Sequence, residues 1–156
     1  IGMQQLMAHY NSAGNEAVDA YTKELVEKYP ESKVANYCRG FAFYAKSDFS
    51  NAITFFQKSV EIDPDYADGV YNCGYCYYQN ALEKAREISG KKMKSQAAIK
   101  AAEDEVKGLF AKAAPYFERY RELDDKDPSK WASPLKVIYN NIGEKEKAAE
   151  MDAYLN

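Results

Sequence analysis

Two cysteines, Cys73 and Cys76, have the spacing of a thioredoxin-type redox pair. Such a pair is reactive when its first thiol is exposed at the N-terminus of a helix, where the helix dipole lowers the thiol pKa. Here the pair falls in the middle of a predicted helix, so both side chains are expected to be small buried hydrophobic groups. We interpret Cys38 in the same way, and a thiol redox protein is only a remote alternative.

The single histidine, His9, is the other candidate for catalysis. A Ser/His/Asp or Cys/His centre needs the imidazole held beside a nucleophile, yet His9 lies in a short predicted helix at the start of the chain. One histidine without a nearby Cys, Asp or Glu motif does not indicate a metal site. We therefore predict no catalytic residue, no metal and no cofactor. Lys91, Lys92 and Lys94 are interpreted as a solvated basic tip.

Composition narrows the remaining classes of function. The 156 residues are enough for one domain, and the net charge of -3 shows no nucleic-acid footprint. No apolar run is long enough to span a membrane, so a soluble protein is expected. Its compartment stays open between the cytoplasm and, if a signal peptide preceded Ile1, the periplasm or an exported location. The 14 tyrosines suggest a protein interface, because Tyr combines apolar area with a polar tip.

Residues 33–66 form the unit around which the chain is organised. Ser32 can cap an apolar run, Asp48 can cap a second run, and Asp63-Pro64 closes that second run. Neither predicted helix can bury its apolar stripe alone. The stretch is therefore predicted to be a helical hairpin that packs against neighbours of its own kind.

The same pattern returns 34 positions later, where Gly74 follows Gly40 and Tyr77 follows Phe43. This period and the residues at fixed places within it resemble the tetratricopeptide-repeat (TPR) family. Asn36 and Val70 stand where the family usually has Trp, and Arg39 and Cys73 stand where it usually has Leu. The residues that carry the resemblance are Gly40, Phe43, Ala52, Phe56 and Pro64.

The resemblance implies an all-α fold, a right-handed solenoid of antiparallel helix hairpins in a single domain, 1–156. Residues 1–32 form a partial repeat in which a short helix precedes a second helix, and residues 33–66 form a complete repeat. Residues 67–127 form a repeat with a long helical insertion, and residues 128–156 form a C-terminal repeat or cap with Trp131 at the family's Trp place.

The insertion is predicted to be helical because its apolar residues alternate steps of three and four. One arm carries Val70, Gly74, Tyr77, Ala81 and Ile88, and the turn is expected at Ser89-Gly90. The hairpin is expected to extend the third repeat by about 15–20 Å at ~1.5 Å per residue. The other arm carries Ile99, Ala102, Val106, Leu109, Ala113, Tyr116, Tyr120 and Leu123.

Aromatic residues also repeat at 34 positions on the first helix of each repeat. The resemblance implies that this face lines the concave groove that holds a peptide in the family. Packing between repeats is the rival interpretation, most of all for Phe41. The predicted partner-binding residues, expected to keep exposed rings where aromatic, are Tyr37, Phe41, Tyr44, Tyr71, Tyr75, Tyr78, Lys136, Tyr139 and Asn140.

These features favour a non-enzymatic adaptor that binds an extended peptide or a partner protein in a Tyr-rich groove. The alternative is a structural or self-assembly module, a homo-oligomer that uses the long hairpin and the terminal helices. The sequence does not identify the partner, because fold alone does not determine function.

Overall fold

The computed structural model describes the backbone of residues 3–90 and 95–155, and the side chains of residues 16–90 and 95–155. All regular structure in these ranges is helical, which confirms the predicted all-α, helical-repeat architecture. The helices are α1 (Met3–Lys28), α2 (Lys33–Tyr44), α3 (Phe49–Ile62), α4 (Ala67–Gly90), α5 (Gln96–Leu123), α6 (Ser129–Ile142) and α7 (Lys145–Glu150), followed by a 3₁₀ turn (Met151–Tyr154).

The chain divides into two compact units, Ile1–Gly69 and Val70–Asn156. In the first unit, α2 and α3 form the predicted hairpin, and both predicted caps are confirmed. The side chain of Ser32 accepts a hydrogen bond from the Ala35 N–H, and that of Asp48 accepts one from the Asn51 N–H. These contacts satisfy N–H groups that have no partner within the first turn of a helix.

Close approach of α2 and α3 depends on Gly40. A Cβ atom built on Gly40 would lie 2.7 Å from Cδ1 of Phe56, a ring that is fully buried. Atoms in ordinary van der Waals contact lie about 3.5–4.0 Å apart, so only glycine fits this position without a shift of its neighbours. The small residue that the repeat pattern requires therefore has a direct steric cause.

The first helix differs from the prediction. The sequence predicted a short helix followed by a second one, but α1 runs without interruption from Met3 to Lys28. Gly14 lies inside this helix. A glycine inside a helix costs only about 1 kcal/mol, however, and does not by itself end the helix. The side chain of His9 lies outside the described residues.

Arg39 explains one departure from the repeat pattern. Its side chain is largely buried, and its Nη1 atom donates to the Asp19 carboxylate (2.8 Å), the Asp19 carbonyl (3.1 Å) and Thr22 Oγ1 (3.2 Å). The guanidinium carbon lies 4.3 Å from the centroid of the Phe43 ring. A long cation thus replaces the usual Leu, and it binds α1 to α2.

In the second unit, α4 and α5 pair along the predicted hairpin. The Tyr77 and Tyr116 rings stack with centroids 5.9 Å apart, and Lys84 Nζ lies 3.2 Å from Glu105 Oε1. The stripe of apolar residues on both arms is buried or partly buried throughout. These contacts confirm that the third repeat is extended into a long helical hairpin.

The predicted turn at Ser89-Gly90 is wrong, because both residues belong to α4. Helix α4 continues through Gly90, and α5 begins after Ser95, whose side chain accepts a hydrogen bond from the Ala98 N–H. Ser95 acts as the helix cap in the usual way. Lys91, Lys92 and Lys94, the predicted basic tip, lie outside the described residues.

The C-terminal hairpin joins α6 and α7 at Gly143, which has a φ of 91° in the left-handed region that favours glycine. Trp131 on α6 is 1% exposed. The Arg121 guanidinium carbon lies 4.7 Å from the Trp131 ring centroid. The ring centroids of Trp131 and Tyr154 are 4.8 Å apart. Arg121 also donates to the Tyr154 hydroxyl at 2.7 Å. The 3₁₀ turn is thereby fixed against α5 and α6.

Candidate partner-binding surface

Three tyrosines on α4, at spacings of four and three residues, form a row that we call the tyrosine ladder: Tyr71, Tyr75 and Tyr78. These spacings place side chains on one face of an α-helix. The Tyr71 and Tyr75 rings stack with centroids 5.9 Å apart, and the Tyr75 and Tyr78 rings are 6.4 Å apart. All three residues are partly exposed. The second unit thus presents a short aromatic surface.

Aromatic residues of α5 pack against the two ends of the ladder, Tyr71 and Tyr78. The Tyr71 ring lies 5.0 Å from that of Tyr120, and it meets the Phe117 ring edge to face at 5.9 Å. The Tyr78 ring meets the Phe110 ring at 5.9 Å. Because Phe110, Phe117 and Tyr120 are buried, the ladder lies on a wall that is packed before any ligand arrives.

The hydroxyl of Tyr78 can act as a hydrogen-bond donor. Burial, with a smaller contribution from Tyr75, raises the pKa of Tyr78 above its ordinary value. Burial also raises the pKa of Tyr120, in the wall behind the ladder. The hydroxyl of Tyr78 is therefore protonated at neutral pH, and a phenol in that state both donates and accepts a hydrogen bond.

The first unit has a smaller aromatic pair at the equivalent repeat positions. The rings of Phe41 and Tyr44 lie 5.8 Å apart, and that of Tyr44 lies 5.9 Å from Phe49. Phe41 and Tyr44 are partly exposed.

Tyr37 does not keep the exposed ring that was predicted. It is only 2% exposed, and its ring packs against Phe56 at 5.3 Å and Tyr66 at 5.4 Å. The reason is helical geometry, because Tyr37 precedes Gly40 by three residues and shares its face. That face is directed at α3, so Tyr37 belongs to the core of the hairpin.

The three predicted members on α6 have different environments. Asn140 is exposed, and the partly exposed Lys136 forms an ion pair with Asp152. Tyr139 is only 5% exposed, so the predicted exposure of its ring is wrong. Its hydroxyl donates to Glu118 Oε1 at 2.5 Å, and burial together with this carboxylate raises the pKa of Tyr139. The ring is buried because α6 packs against α5 at this point.

The cysteines have the buried environment that the sequence predicted. Cys73 and Cys76 are 0% exposed, and Cys38 is also buried. Burial raises the pKa of Cys73 to about 12 and raises the pKa values of Cys76 and Cys38 as well. Redox chemistry requires the opposite change, a lowered pKa and an accessible thiolate.

The described residues meet the requirements of neither a metal site nor a membrane span, although they do line a cavity. Among them, no three His, Cys, Asp or Glu side chains are close enough to hold a metal ion. No described helix is both long and apolar enough to cross a membrane. A cavity of about 650 Å³ lies between α5, α6 and α7, and the sequence did not predict it. Its polar lining consists of Glu118, Arg121, Glu122, Asp125, Tyr139, Lys147 and Glu150.

Comparison with known proteins agrees with the repeat pattern. The family model for the TPR repeat matches residues 40–80, a segment that contains the whole tyrosine ladder. No curated protein matches the chain. The match confirms the predicted resemblance over this segment. TPR repeats typically serve as non-catalytic modules for protein–protein interaction, which supports the same general role here.

Proposed function

We propose that this chain is a non-enzymatic adaptor whose tyrosine ladder binds an extended segment of a partner protein. The observation that carries the proposal is the ladder itself. Tyr71, Tyr75 and Tyr78 are partly exposed, lie in ring contact with one another, and rest on buried aromatic residues of α5.

The physical advantage of this arrangement is preorganisation. Tyrosine offers a large contact area with only two side-chain torsions to fix, so binding loses little conformational entropy. The contacts of Tyr71 and Tyr78 with α5 already restrict their rings. A ligand that covers the ladder therefore gains aromatic contact area without first ordering the surface.

The other exposed members of the predicted surface are included in the proposal as secondary contacts. Phe41 and Tyr44 provide an aromatic pair on α2, and Lys136 and Asn140 provide polar groups on α6. Tyr37 and Tyr139 act as supporting residues, because their rings are buried.

Tyr75 is the best position for a test. It lies between Tyr71 and Tyr78 and contacts both rings, while those two residues also pack against α5. Truncation of Tyr75 should therefore reduce binding more than it reduces stability. Tyr29, which is 50% exposed at the end of α1, is a matched control for the loss of one exposed tyrosine.

The experiment begins with peptides selected from a displayed random library on the wild-type chain. Dissociation constants are then measured for wild type, Tyr75→Ala and Tyr29→Ala, with the melting temperature of each. We expect Tyr75→Ala to weaken binding by about 2 kcal/mol, roughly 30-fold, as the loss of an interface anchor does. Tyr29→Ala should leave the affinity unchanged.

Light scattering on the same samples tests the rival role in self-assembly. Selected peptides that bind Tyr75→Ala as tightly as wild type would overturn the proposal. So would a wild-type chain that selects no peptide and instead forms an oligomer.

A further inference from the structure

We propose that the ligand of the tyrosine ladder is an uncharged, proline-rich segment in the polyproline II conformation. This inference rests on the proposed function and adds the chemical class of the ligand. It is carried by the absence of charge along the ladder, by the secondary structure that presents the rings, and by the hydrogen-bonding groups that they offer.

The charge pattern of α4 is the first observation. The thirteen residues from 70 to 82 contain no Asp, Glu, Lys or Arg, although 29% of the whole chain is charged. The wall behind the ladder is aromatic. Its hydrogen-bonded charges, Asp124 and Lys130, are of opposite sign and both meet the Tyr120 hydroxyl, at the Tyr71 end of the ladder. A terminal carboxylate, a phosphate or a basic motif would find no opposite charge on the ladder itself.

The second observation concerns the ligand backbone. The ladder lies on a helix, whose own N–H and C=O groups are bonded within α4. An added β-strand needs a free strand edge to pair with, and α4 provides none. A polyproline II segment has no internal hydrogen bonds and needs no such edge, because its backbone remains solvated.

The third observation is the match of donors and acceptors. Proline has no backbone N–H, so a proline-rich segment presents mainly carbonyl acceptors. Tyrosine hydroxyls can donate to those carbonyls while the aromatic faces contact the proline rings. Tyr78 is suited to this role, because its phenol is protonated at neutral pH and its ring is held against the buried Phe110 ring.

The dimensions of the ladder agree with a short ligand. Its ring centroids are 5.9 and 6.4 Å apart, and a polyproline II helix advances about 3.1 Å per residue. About four residues are therefore enough to cross all three rings. Because this helix is already formed in proline-rich chains, it loses little conformational entropy on binding.

The test uses calorimetric titration of an acetylated, amidated oligoproline into the wild-type chain, Tyr75→Ala and Tyr29→Ala. An uncharged Gly/Ser peptide of equal length controls for composition. We expect the oligoproline alone to bind the wild type, with at least tenfold weaker binding to Tyr75→Ala and unchanged binding to Tyr29→Ala. Its affinity should change less than twofold between low and high salt, because no ion pair is formed.

The outcomes separate this inference from the proposed function. If oligoproline does not bind while library peptides without proline bind through Tyr75, the ligand class is wrong and the adaptor function stands. If no peptide of any composition depends on Tyr75, both proposals fail. Oligoproline binding that Tyr75→Ala leaves unchanged would also overturn the inference, since the site would lie elsewhere.

Discussion

Gly74 is predicted to be the most sterically restricted position of the hairpin that supports the ladder. A Cβ atom built there would lie 2.8 Å from Cβ of Tyr116 and 3.4 Å from two carbons of the Phe117 ring. The Tyr116 Cβ is bonded directly to the backbone, so no rotamer change moves it away. To accommodate an alanine, α4 and α5 must separate.

Gly108 provides the matched control. It also lies inside a helix of the second unit, but a Cβ built on it meets no atom within 4 Å. Alanine is favoured over glycine in helices by about 1 kcal/mol, so Gly108→Ala should stabilise the protein by up to that amount. Gly74→Ala has the same gain, opposed by an overpacking penalty of about 1–3 kcal/mol. The two variants should therefore differ in stability by about 1–3 kcal/mol.

Urea unfolding measured by circular dichroism gives this difference. Fluorescence of Trp131, the single tryptophan, reports the second unit separately, which matters because the two compact units need not unfold together. We expect the unfolding midpoint of Gly74→Ala to lie below that of Gly108→Ala. A Gly74→Ala variant that is as stable as Gly108→Ala would refute the close packing of α4 on α5.

Two further predictions concern charge and thiol chemistry. Hydrogen bonds from Lys46 and Arg39 lower the pKa of Asp19 in the folded state. The carboxylate therefore stabilises the fold at pH values above the pKa of an unfolded Asp, near 3.9. This stabilisation is lost as the pH falls through the lower pKa of Asp19 in the folded protein. Because the Asp19 side chain is 35% exposed, solvent screens these ion pairs, and Asp19→Asn should cost about 0.5–1 kcal/mol at neutral pH, with a smaller difference below about pH 4. Equal urea midpoints at neutral pH would contradict the assignment. Cys73 and Cys76 should resist alkylation of the native protein near neutral pH and react in urea, because burial raises their pKa values; rapid native labelling would revive the redox alternative.

Local features of the fold could be predicted from the sequence because their causes are local. Ser32 and Asp48 were identified as helix caps from their types and positions. The extended hairpin followed from the spacing of apolar residues. The caps depend on residues within one helical turn, and the hairpin was predicted from the periodic spacing of apolar residues along each arm, although its contacts join residues about forty positions apart.

The errors have long-range causes. The burial of Tyr37 depends on Phe56 and Tyr66, and that of Tyr139 depends on the packing of α6 against α5. A repeat pattern gives the position of a residue on its helix, but it does not show how far the neighbouring helices cover that residue. The contact of Arg39 with Asp19 was missed for the same reason, since twenty residues separate them.

The candidate site shows the same division. The sequence placed the three tyrosines of the ladder on one helical face, and the structure brings their rings into contact. Which tyrosines remain accessible could not be deduced, because exposure depends on the helices packed around them. Tyr71 illustrates this difficulty, because it belongs to the ladder and its ring also packs on Phe117 and Tyr120.

Nuclear magnetic resonance of the tyrosine rings tests the central claim most directly. The chain is labelled on its tyrosine ring carbons, the signal of Tyr75 is assigned with Tyr75→Phe, and a peptide selected on the wild type is added. We predict that the Tyr75 signal shifts with peptide concentration while the signal of Tyr29 stays in place. A bound peptide that leaves the Tyr75 signal unchanged would show that the tyrosine ladder is not the partner-binding surface.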